Sequence, residues 1–151
     1  MMRIAEALIE RADLQKRLFQ LESRLCSNAK VQEGETPAED PVKLLAELDS
    51  CTERLEALIC RINLTNSNVL VDGKTLTEWI AKRDCLTKKV NTLRTFLNHA
   101  SQTVIRGAKN EIVIKSTVSV SELQKNVDEL SRELRETDTV IQAANWSNDL
   151  I

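Results

Sequence analysis

The side chains best equipped for chemistry in this sequence are carboxylates. Glu6 and Asp13 stand seven residues apart, so on a helix they share a face and can offer oxygens to a hard cation such as magnesium or calcium. Glu33, Glu39 and Asp40 sit in the acidic stretch VQEGETPAEDP and can do the same from a loop. In a symmetric assembly one carboxylate per chain recurs around the axis, so a single ligand from each copy can build a site. These five residues are the candidate metal ligands, and a divalent ion is the cofactor they would hold. A solvated polar stripe and a solvated loop account for the same pattern without an ion.

The other reactive groups converge on nothing. His99 is the single histidine. It has no local partner for base catalysis and no HxxxH or HxxE neighbour, so a surface or structural place near a helix C-terminus is expected. Di-iron bundles need paired ExxH motifs, which one histidine cannot supply. Cys26, Cys51, Cys60 and Cys85 share no CxxC spacing and read as reduced packing residues. Gly34, Gly73 and Gly107 stand apart, with no phosphate-cradling loop, and no GxSxG elbow occurs. No catalytic residue is assigned, and the expectation is a protein that is not an enzyme.

Composition narrows the partners. The formal net charge is -2 with 29% charged residues of both signs, and aromatics make up only 3%. A nucleic-acid binder needs a basic face to neutralise phosphates, or rings on which bases stack, and neither is supplied. No apolar run approaches the roughly 18 residues of a membrane span. The N-terminal segment carries Glu6, Glu10 and Asp13 where a secretory signal would be apolar. A cytoplasmic chain without nucleic-acid or membrane partners is expected.

Whatever the carboxylates do, helices must position them. The fold class expected is mainly all-α, one domain over residues 1–151. It is a bundle of four long, coiled-coil-like amphipathic helices at about 2–29, 41–64, 76–100 and 120–145. The first seam reads Ile4, Ala7, Arg11, Leu14, Leu18, Leu21 and Leu25; the second Leu44, Leu48, Cys51, Leu55, Leu58 and Ile62. The third is Trp79, Arg83, Leu86, Val90, Leu93 and Leu97. The fourth runs Val120, Leu123, Val127, Leu130, Leu134, Thr137, Ile141 and Ala144. Spacings of three and four put each set on one stripe. Arg11 and Arg83 interrupt two seams and are the expected places for buried ion pairs. Asp40-Pro41 reads as an N-cap and first helical residue, Thr75 with Glu78 as a capping box, and Ser119 or Ser121 as the last cap. Asp72-Gly73 reads as a tight reversal. Between helices three and four, alternating β-branched residues at about 103–118 suggest a small β-hairpin. The closing NWSNDLI is expected to dock on the body or on a neighbouring copy. Helices this long, with apolar residues beyond a single stripe at Leu45, Ile59 and Phe96, point to self-association.

The segments MRIAEALIERADLQKRLFQLESRL, NAKVQEGETPAEDP, RINLTNS and VDELSRELRETDTVIQAANW resemble the septicolysin-like family of small bacterial proteins across nearly the whole chain. Its most specific piece is ADLQKR joined to NAKVQEGETPAEDP. The resemblance implies long-helix proteins that assemble as trimers or hexamers, with a metal site associated. The family label implies a membrane-active, pore-forming protein as the alternative function. Against that, the chain shows no membrane-length hairpin and no basic amphipathic face. The molecular function expected is thus unknown beyond a self-assembling helical structural or binding protein, with a metal ion held by carboxylates near a subunit interface as its specific addition.

Overall fold

The computed structural model describes residues 1–103 and 112–151. Its elements are α1 (Ile4–Ser27), α2 (Pro41–Asn68), β1 (Leu70–Val71), β2 (Lys74–Thr75), α3 (Leu76–Ser101) and α4 (Val120–Ser147). The fold is mainly α, with a small two-stranded antiparallel hairpin. The chain divides into two compact units. One holds Met1–Leu70 with Ala144–Ile151, the other Val71–Ala143.

In the first unit α1 and α2 pack antiparallel along the two seams. Ile4, Ala7, Leu14 and Leu21 of α1 are buried, as are Leu44, Cys51, Leu58 and Ile62 of α2. Alternate seam residues Leu18, Leu25, Leu48 and Leu55 pack against that cluster half-buried, as expected where two helices share one contact line. Each buried Leu or Ile contributes on the order of 1.5–3 kcal/mol by leaving water. Polar clasps fix the register. Arg54 holds Glu10 with two hydrogen bonds of 2.5 and 2.9 Å. Arg24 holds Glu39 through Nη2 at 2.6 Å and Nε at 3.1 and 3.2 Å, and reaches Glu47 at 3.7 Å. Buried Asn28 closes the loop, donating to Arg24 O at 2.8 Å and accepting from Glu39 N at 3.0 Å. Asp40 caps α2, accepting from Val42 N at 3.0 Å, with Pro41 at the first turn.

The tail docks on this unit. Leu150 is 4% exposed and belongs to the α1–α2 core. Around it Leu150 N donates to Met2 O at 2.8 Å, Ile4 N to Asn148 O at 3.1 Å and Ile151 N to the buried Thr65 Oγ1 at 2.9 Å. Arg61 Nε donates to Ile151 O at 2.8 Å, and Arg3 pairs with Asp149 at 3.1 Å.

Asp72 (φ 50°) and Gly73 (φ 79°) make the two-residue reversal between β1 and β2, with both central residues left-handed as a primed hairpin turn requires. The hairpin expected at 103–118 falls on residues 104–111, which lie outside the described residues; its described remainder, 112–118, forms no strand. The hairpin observed is the shorter one, before α3. Thr75 caps α3 in a capping box, its hydroxyl accepting from Glu78 N at 3.2 Å while Thr75 N donates to Glu78 Oε2 at 2.7 Å. Ser119 caps α4, its Oγ accepting from Glu122 N at 3.4 Å.

Two side-chain expectations are corrected. Arg83 pairs with Asp84 at 3.2 Å and Asp138 at 3.5 Å, but these carboxylates are largely exposed, and Arg11 forms no ion pair among the described residues. An arginine at a seam position reaches out of a two-helix contact to water, which is cheaper than burying its charge. Of the cysteines only Cys51 packs inside; Cys26, Cys60 and Cys85 are exposed free thiols on outer faces of their helices.

Candidate functional site

The five candidate metal ligands are scattered among separate tasks. Glu6 accepts from Arg3 N at 2.7 Å and so satisfies a free backbone donor at the start of α1. Glu39 is engaged by Arg24, whose hydrogen bond holds its carboxyl below the ordinary carboxylate value, with the guanidinium charge adding to the effect. Asp40 serves as the α2 cap. Asp13 and Glu33 are exposed, one on α1 and one in the loop. Among the described residues no three His, Cys, Asp or Glu side chains come together as a metal would require. His99 is exposed, with its Nδ1 2.9 Å from Thr95 O.

The second unit brings together a different set. Its α3 and α4 run antiparallel, in a register fixed by Lys82 with Glu133 at 3.2 Å, Arg83 with Asp138 at 3.5 Å, and Arg94 Nη2 donating to Ser131 Oγ at 3.1 Å. Trp79 anchors the start of α3, its indole N–H donating to Val71 O at 2.9 Å. The Lys74 and Lys82 ammonium groups each lie 5.5 Å from its ring centre, within cation–π range. The contact line itself is thin. Over 26 residues α3 buries only Leu76 and Val90, and Leu86, Leu93 and Leu97 of its seam stay half-buried.

The two flanks of that line differ in character. At ~100° per residue, Leu86 and Leu93 form one edge of the α3 seam, and Ala100 and Phe96 extend it into an apolar flank on that side, with Phe96 45% exposed. Arg94, Asn98 and Ser101 fall on the other. There they face Gln124, Asp128, Ser131 and Arg135 of α4 across an open cleft of about 530 Å³ floored by Leu97 and Val127. Sequence reasoning tracked the apolar seams and passed over these polar residues. Their spacing, 94-98-101 and 124-128-131-135, repeats at three and four just beside the seams, and that was the available signal.

Among the described residues no helix is long and apolar enough to cross a membrane. No curated protein matches the chain. The crystal structure of a functionally unknown conserved protein from Corynebacterium diphtheriae is similar at 36% identity, with a TM-score of 0.94, covering 99% of this chain and 99% of that one. A model described as a family of unknown function (DUF6847) matches residues 11–150, and the chain belongs to that family.

Proposed function

We propose that this chain is a self-assembling helical scaffold whose α3–α4 unit is completed by further copies of itself. The observation that carries the reading is the α3 flank of Leu86, Leu93, Phe96 and Ala100, which the rest of the chain covers only in part. Two helices share a single contact line, whereas bundles gain a closed core by adding helices around it. Identical copies supply those helices through a self-complementary face. A net charge of only -2 leaves little repulsion between copies. The resemblance to septicolysin-like proteins favours a trimer or hexamer as the order of the assembly.

The test is a mass in solution, by light scattering, of the chain and of Leu93→Asp. Wild type is expected at two or more times 17.1 kDa, with three or six times that mass giving the order the resemblance implies. The aspartate places an uncompensated charge in the apolar flank and is expected to shift the population to 17.1 kDa with helical circular dichroism retained. A wild-type mass of 17.1 kDa overturns the proposal.

A further inference from the structure

We propose that the polar cleft between α3 and α4 is a binding site for a small ligand bearing an oxyanion, with Arg94 and Arg135 as its anion clamp. The cleft lies on the flank opposite the apolar one, so the site does not depend on copies associating. Its volume, about 530 Å³, falls in the range of small-molecule sites.

Among the described residues the charges in the cleft form no ion pair. Among the described residues four guanidinium groups outside the cleft meet carboxylates directly, Arg3 with Asp149, Arg24 with Glu39, Arg54 with Glu10 and Arg83 with Asp138, while Arg11, Arg17, Arg61 and Arg132 form no ion pair. In the cleft two arginines and Asp128 share one lining, yet among the described residues neither arginine pairs with a carboxylate. Asp128 instead accepts from Gln124 Nε2 at 2.9 Å. Arg94 is oriented by its hydrogen bond to Ser131, a residue 7% exposed and therefore fixed in place. A guanidinium already turned is suited to carboxylate and phosphate, whose oxygens match its planar fork.

The remaining lining sets the rest of the ligand. Asn98, Ser101 and Gln124 are neutral hydrogen-bonding groups at the other end of the cleft, where they suit hydroxyls. Asp128 lies between the two ends along α4. It opposes a second negative charge and accepts from a hydroxyl or ammonium group. The ligand class is a compact polar molecule with one anionic end, either a phosphate ester or a carboxylic acid.

Calorimetric titration of the full chain at low ionic strength with glycerol 3-phosphate, inorganic phosphate and lactate tests this. Binding with a dissociation constant of about a millimolar or tighter is expected for at least one probe. Binding of both phosphates without lactate identifies the phosphate class, and the reverse identifies the carboxylate class. Arg94→Gln and Arg135→Gln should each weaken binding about tenfold, the size of one lost charge-assisted hydrogen bond. Asp128→Asn should tighten it, an outcome that a merely structural cleft would not produce. Arg135→Lys keeps the charge and guards against a folding defect; it should bind more weakly than wild type because the fork is gone. Absence of heat with every probe, or affinity unchanged in both glutamine variants, overturns the proposal.

Discussion

Truncating Leu150 to alanine isolates how much the docked tail contributes to the first unit. Leu150 is 4% exposed and packs into the cluster built from Ala7, Leu14, Leu44, Leu58 and Ile62. The substitution removes three buried carbons, worth about 2.4 kcal/mol at ~0.8 kcal/mol each. A cavity left behind adds to that, and Leu→Ala changes in rigid cores cost roughly 2.7–5.0 kcal/mol. Leu150 lies in a short segment beyond the end of α4, which can relax into the space more easily than a helix can, so the lower end applies: about 2.5–3 kcal/mol. Detachment would also release the hydrogen bonds from Leu150 N to Met2 O and from Ile151 N to Thr65 Oγ1. Urea unfolding followed by circular dichroism reads the loss as a lower midpoint at constant slope. Leu150→Met, which conserves volume, should cost under about 1.5 kcal/mol. Ile151→Ala, at a side chain 54% exposed, should cost less still. A Leu150→Ala loss below about 1 kcal/mol would mean that the tail lies on the core without stabilising it.

Acid should weaken the first unit through two named groups. Hydrogen bonds from Arg54 and Arg24 lower the carboxyl values of Glu10 and Glu39 from the ordinary 4.5. A depressed folded value gives stability that is complete above 4.5 and lost as pH falls through the folded value, so the doubly substituted Glu10→Gln, Glu39→Gln chain should show a flatter acid limb in thermal melts between pH 5 and 3. Asp40→Ala removes the α2 cap and should cost about 0.5–2 kcal/mol by urea titration, whereas Asp40→Asn should cost far less. Gly73→Ala meets no atom within 4 Å, so its whole cost is the left-handed φ of 79°. That cost should be about 1 kcal/mol by the same titration.

Much of the fold was legible because it rests on periodicity and punctuation. The seam residues of all four helices are buried or half-buried as their three-and-four spacing requires. The cap at Asp40, the box at Thr75 and Glu78, and the reversal at Asp72-Gly73 follow from local chemistry that acts within four residues. What the sequence did not give were facts of tertiary contact. Glu39 looks like a free loop acid until Arg24, fifteen residues away, is seen to hold it. Cys26, Cys60 and Cys85 read as packing residues because helical sequence does not say which faces stay outside. The cleft was least legible of all. Polar residues beside a seam ordinarily serve as solvated flanks, and only the fold shows that Arg94, Arg135 and Asp128 line one space, with no ion pair of theirs among the described residues.

We propose that the thin α3–α4 contact is completed by other copies of the chain. Light scattering across a dilution series from about 100 to 1 μM, a range in which micromolar associations dissociate, tests it most directly. Self-association gives a mass of at least twice 17.1 kDa at the top of the series, falling on dilution or on Leu93→Asp substitution. A constant 17.1 kDa at every concentration would contradict it.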